Sequence, residues 1–128
     1  MKPYRVLVTG SRDWEDRRVI REALAVAAFF ESDTDDVVIV HGACPSGADR
    51  IASEWVREEF ARRLGFREEA HPANWRINGK RAGFIRNAHM VNLGADLCLA
   101  FIRNGSRGAT HTAALAEQAR IPVRRFTA

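Results

Sequence analysis

The sequence predicts an α/β fold: a single doubly wound parallel sheet of about five strands, in the order 3-2-1-4-5, with helices on both faces. Three observations carry the prediction. Five short runs with strand character recur along the 128 residues. Four segments with apolar residues at helical spacing separate them. Glycine-rich turns follow the first, second and fourth runs. Parallel strands need crossovers, and right-handed crossovers place helices on both faces of a sheet.

The first run is YRVLV, from Tyr4 to Val8, ending in the turn TGSRDW. EDRRVIREALAVAAFF follows, with Val19, Ile20, Ala23, Leu24, Ala27 and Ala28 at helical spacing and Asp16 as the expected N-cap. Val37 to Val40 is a continuous β-branched run, the pattern of a strand buried on both faces. After HGACPSGAD, the stretch IASEWVREEFARRLG predicts one helix with Ile51, Ala52, Trp55, Val56 and Phe60 inward and Gly65 closing it. FREEAHPANW is more polar and fits a strand near the sheet edge. KRAGFIRNAHMVNLG predicts a third helix, packing through Ile85, Ala88, Met90 and Val91 and ending at Gly94. LCLAFI, the turn RNGSRGAT, the helix THTAALAEQAR and a last strand IPVRRF complete the chain.

Composition narrows the class of protein. Hydrophobic residues make up 46% and charged residues 28%, the balance of a soluble globular domain, and no apolar run approaches the roughly 20 residues of a membrane-spanning helix. No linker, repeat or low-complexity run divides residues 1–128, so one domain is expected. MKPYRVLVTG carries no signal-peptide apolar region, which makes a cytoplasmic location the expectation. Cys44 and Cys98 do not form a CxxC or a Cys/His spacing, so neither zinc nor another metal is expected. The net charge of +4 is spread along the chain as scattered arginines rather than a basic block.

In the order 3-2-1-4-5 the winding reverses between strands one and four, whose carboxyl ends diverge to leave a ligand crevice. All three glycine-rich turns should share that rim. Glycine lets backbone amides approach an anion closely, and the following helix adds unsatisfied N–H groups and the positive end of its dipole. Gly10, Ser11 and Arg12 of the first turn, Gly42, Ser46 and Gly47 of the second, and Gly105, Ser106, Arg107, Gly108 and Thr110 of the fourth are the candidate phosphate ligands. The sequence G-S-R occurs on both sides of the crevice, and Arg12 and Arg107 could each grip phosphate oxygens with a bidentate fork. Neither GxxxxGK[ST] nor GxGxxG occurs.

Other polar positions have two readings. Asp49, in the first turn of a helix, is stabilised by the helix dipole or accepts from a ribose hydroxyl. Trp14 is a base platform or the edge of the core. Gly83, Arg86, Asn87 and Met90 fall at i, i+3, i+4 and i+7, one face of the third helix, which either packs or faces the ligand.

GSRDW, HGACPSGADRIA, RAGFIRNAHMV and GADLCLAFIRNGSRGATHTAALA together resemble the YspA-related branch of the SLOG superfamily, which also includes the lysine-decarboxylase-like LOG proteins and the DNA-processing protein DprA. The resemblance implies a Rossmann-like fold whose glycine-rich turns bind nucleotides or nucleotide-derived ligands. No cofactor is expected. LOG enzymes cleave the N-glycosidic bond of nucleoside monophosphates with a third-helix arginine and a glutamate after the fourth-strand glycine motif. Arg86, with Met90 four residues on, fits the R-x-x-x-M pattern and is the catalytic candidate. At the glutamate position this chain has Thr112, or Ala113 with one insertion. That loss removes the carboxylate that would stabilise an oxocarbenium-like transition state.

The leading expectation is therefore a nucleotide-binding protein, a sensor or a sequestering protein. Two alternatives are an N-glycosidic hydrolase, with Asp49, His111 or Glu117 replacing the glutamate, and a DprA-like binder of single-stranded nucleic acid. The scarcity of aromatic residues weighs against the last. The resemblance also leaves room for a homodimer.

Overall fold

In the computed structural model, which describes residues 2–128, the five runs become the strands β1 (Tyr4–Gly10), β2 (Val37–His41), β3 (Arg67–Ala70), β4 (Leu97–Ile102) and β5 (Val123–Thr127). All neighbours pair in parallel, in the order β3-β2-β1-β4-β5. The order matches the expectation. β2 and β4 are buried along their whole length, as continuous apolar runs require when both faces are covered. β3, polar and half-exposed, lies at one edge.

Alternate residues of each strand feed two apolar layers. Val6, Val8, Ile39, Leu99 and Phe101 pack under α1 (Arg17–Val26) and α2 (Gly47–Val56), together with Ile20, Leu24 and Trp55. Leu7, Val38, Val40 and Cys98 pack on the other side against Met90 and Val91 of a longer helix and Ala116 of the last one.

Asp16 caps α1, its carboxylate accepting from the Val19 N–H at 3.3 Å. The end of α1 loosens into a π-helical turn, Ala27–Glu31, that leaves Phe29 and Phe30 exposed.

The segment expected as one helix after β2 is two. α2 ends at Val56, Glu58 turns extended, and α3 (Glu59–Arg63) starts on a new axis. Phe60 is consequently a partly exposed residue that meets Trp55 edge-on, with ring centroids 5.4 Å apart. A short α4 (Trp75–Asn78), capped by the Asn74 side chain, and a 3₁₀ turn (Gly79–Arg81) precede α5 (Ala82–Asn92). On α5, Met90 and Val91 are buried, whereas Ile85, expected to pack, is exposed. The last helix is α6 (Arg107–Gln118). Among the described residues no helix is long and apolar enough to cross a membrane.

Candidate functional site

A cleft of about 340 Å³ opens at the carboxyl ends of β1 and β4, where the winding reverses. Val8, Thr9 and Gly10 form its base, and the β1 turn supplies Ser11, Arg12 and Asp13. Cys44 and Asp49 reach it from the β2 side, and Ser106, Gly108 and Ala109 from the start of α6. Gly83, Phe84, Arg86, Asn87 and Met90 present one face of α5, and Trp75 and Lys80 close the outer side. All three glycine-rich turns and the third helix therefore contribute to one site.

The glycines of the first two turns work mainly by letting chain segments touch. A Cβ on Gly10 would stand 2.4 Å from the Ala48 Cβ and 2.9 Å from the Phe101 carbonyl oxygen. Gly47 has φ +69°, and a Cβ there would stand 2.2 Å from the Ser11 carbonyl oxygen. Ser11 is the knot between these segments. Its N–H donates to Phe101 O at 2.9 Å, its hydroxyl accepts from the Arg103 N–H at 2.8 Å, and its carbonyl accepts from the Ala48 and Trp14 N–H groups. The buried Ser11 hydroxyl thus joins the β1 and β4 turns. Ser46 is exposed and stands outside the cleft lining.

Arg86 holds the second turn. A side chain on Gly42 would collide with its guanidinium, 2.6 Å away. Nη1 of Arg86 donates to Gly42 O and, at 3.3 Å, to His71 O, while Nε donates to Asn87 Oδ1 at 2.7 Å. Asn87, itself buried, fixes the arginine in place. Asp49 is 6% exposed and accepts from the Cys44 N–H at 3.2 Å. Burial, and then the Asp49 carboxylate beside it, pushes the Cys44 thiol up from its ordinary value. Both cysteines are free thiols, and burial pushes Cys98 up to about 12.

His41 at the end of β2 belongs to the scaffold. Its Nε2 lies 2.6 Å from Glu68 Oε2, and its Nδ1 accepts from the Ala43 N–H at 3.0 Å. Burial alone would raise the Glu68 carboxyl, but hydrogen bonds from Ser53, His41 and Arg57 together hold it below its ordinary value.

The two G-S-R sequences are not equivalent. Arg12 stands in the loop before α1 and lines the cleft, with its guanidinium carbon 5.5 Å from the centre of the Trp75 ring. Arg107 is already the first residue of α6, and it is exposed and outside the lining, as is Thr110. Gly105, at φ +61°, makes the turn and also lies outside. Ser106 and Gly108 do face the cleft. The Ser106 side chain makes no capping bond, and the first helical bond runs from Thr110 N to Ser106 O. The N–H groups of Arg107, Gly108 and Ala109 therefore precede any intrahelical partner, and an anion can meet them.

Trp14 is turned inward, 4% exposed, with its ring edge-on to Phe101 at 5.6 Å and its indole N–H donating to Asp16 O. It is the edge of the core and offers no face to a base. The exposed aromatic residues at the cleft are Trp75 and Phe84, and neither they nor Lys80 were among the expected ligands. No glycine turn marks them, and α4 is too short to show a periodicity. The available signal was the side-chain chemistry of W-R-I-N-G-K in a polar loop after β3.

The position of the LOG glutamate carries no acid that could reach a ligand. Thr112 is fully buried and its hydroxyl donates to Gly108 O at 2.8 Å. Glu117 pairs with Arg125 at 2.5 Å, away from the cleft. His111 is exposed and lies edge-on to Phe84 at 5.2 Å. The carboxylates of the lining are Asp13 and Asp49. Among the described residues no group of three or more His, Cys, Asp or Glu side chains converges to hold a metal ion.

Comparison with known proteins identifies the family of the chain. The model of the YspA, cpYpsA-related SLOG family matches residues 4–77. The chain is 42% identical over 122 residues to the Gene 61 protein of Mycobacterium phage D29, covering 95% of each chain. No solved structure matches it. The chain belongs to the YspA-related SLOG family.

Proposed function

For this member of the YspA-related SLOG family, we propose that the cleft between β1 and β4 binds a nucleotide or nucleotide-derived ligand, in the service of sensing or sequestering it. The observation that carries the reading is the cationic lining beside an uncapped helix start. Arg12, Lys80 and Arg86 outnumber Asp13 and Asp49 in the lining, and Ser106, Gly108 and Ala109 begin α6 there. A phosphate at that helix start gains the amide donors and the dipole, and Arg12 and Lys80 are free to add charge-assisted hydrogen bonds. Arg86 is engaged with Gly42 and Asn87 and shapes the site as a fixed positive charge. At about 340 Å³ the cleft sits at the small end of ligand sites, which favours one nucleotide over a dinucleotide.

The reading is binding without glycoside cleavage. Thr112 offers no carboxylate, and Asp49 is tied to the Cys44 amide. Calorimetric titration with AMP, ADP-ribose, NAD and a cyclic nucleotide tests the proposal. Wild type is expected to bind at least one, and Arg12→Ala with Lys80→Ala to weaken it about tenfold or more, as loss of charged hydrogen bonds implies. Arg107→Ala, outside the lining, should leave the affinity unchanged. Absence of binding by wild type, or equal affinity in the double variant, would overturn it.

A further inference from the structure

We infer that Trp75 is the base platform of this site and that Arg12 exchanges places with the base. The inference rests on the nucleotide reading above. The chain has three tryptophans. Trp14 and Trp55 are buried at 4% and 2% exposure, whereas Trp75 is 50% exposed and lines the cleft.

A half-exposed indole on a rim needs an occupant to be of use there. Arg12 lies over the ring at 5.5 Å from its centre, a cation–π contact of modest strength at an exposed site. Gly83 of α5 lies beside the edge of the ring, where a Cβ would stand 3.7 Å from the indole, an ordinary packing distance.

The Arg12 guanidinium makes no side-chain hydrogen bond or ion pair among the described residues, and its contact is the indole of Trp75. When a nucleotide enters with its phosphate at the start of α6, the anion draws Arg12 off the indole and the base takes its place on the ring. Phosphate and base are thereby read together: a phosphate alone frees the indole without filling it, and a base alone competes with the guanidinium. The site is selective for ligands that carry both.

The test compares AMP with ribose 5-phosphate, which keeps the phosphate and lacks the base. Wild type should bind AMP about tenfold more tightly or better, the size of one base–aromatic stack. Trp75→Ala should bring AMP down to the affinity of ribose 5-phosphate while leaving the latter's binding in place, which also shows that the variant is folded. Trp75→Phe should retain part of the preference. AMP should quench tryptophan fluorescence in wild type, and Trp75→Phe should abolish the quench while still binding. Equal affinity of wild type for the two ligands, or an equal loss of both in Trp75→Ala, would overturn the inference and leave the phosphate site standing. Binding of neither ligand would overturn the inference, while the nucleotide reading falls only if the other nucleotides of the panel fail to bind as well.

Discussion

Gly47 and Gly105 both have left-handed backbone, at φ +69° and +61°, yet they answer different demands. At Gly105 a Cβ would meet nothing within 4 Å, so only the turn requires glycine. At Gly47 the same atom would stand 2.2 Å from the Ser11 carbonyl oxygen, at the junction of two turns. Gly105→Ala should cost about 1–2 kcal/mol, the left-handed backbone penalty alone. Gly47→Ala should cost about 2–5 kcal/mol, because overpacking adds to that penalty. Urea unfolding of the two variants checks this, and equal costs would contradict it. Of the site residues named from the sequence, Gly10, Ser11, Arg12, Asp49, Arg86, Asn87, Ser106 and Gly108 line one cleft, whereas Trp14, Gly42, Ser46, Gly47, Gly105, Arg107 and Thr110 do not. The sequence could not tell which G-S-R arginine faces inward, because that depends on where each helix begins. Nor could it see Trp75 and Lys80, whose place follows from the path of a loop and not from a local pattern.

At the scale of elements, one arginine ties the edge strand to the centre. Arg5 on β1 reaches across β2 to Glu69 on β3, with both carboxylate oxygens bonded at 2.9 and 2.8 Å, and its Nε donates to Gly94 O beyond the end of α5. The Arg5 hydrogen bonds hold the Glu69 carboxyl down to about 2, against an ordinary value near 4.5. A carboxyl lowered on folding stabilises the fold above its unfolded value and loses that contribution as the pH falls. The Glu69 contribution should therefore be intact above about pH 4.5 and fade toward pH 2. The difference in urea midpoint between wild type and Glu69→Gln should shrink across that window, and a difference that holds constant would contradict the assignment. The strands were legible because each apolar run is short and bounded by turn residues. The break between α2 and α3 was not, since apolar spacing continues through Arg57 and Glu58 while the backbone turns. α4 owes its existence to the Asn74 cap, which accepts from the Ile77 N–H at 3.1 Å, and four residues carry no periodicity.

At the scale of the whole molecule, strand order places the site. Five parallel strands in the order 3-2-1-4-5 leave one point where successive crossovers turn opposite ways, and the cleft of Arg12, Ser106 and Arg86 opens there. That much followed from counting strands and crossovers, since the right-handed rule leaves few other arrangements. The depth and lining of the cleft did not, because they depend on how the segment from Trp75 to Arg81 folds over the carboxyl ends of the strands. A nucleotide seated in this cleft would disturb the amides around it, and chemical-shift mapping during a titration with AMP reads those amides one by one. The largest shifts are expected on Gly10 to Asp13, on Trp75 and on Ser106 to Ala109, while Phe29 to Asp35 at the opposite end of the strands stay still. Shifts confined to other surfaces, or no shifts at saturating AMP, would contradict that placement.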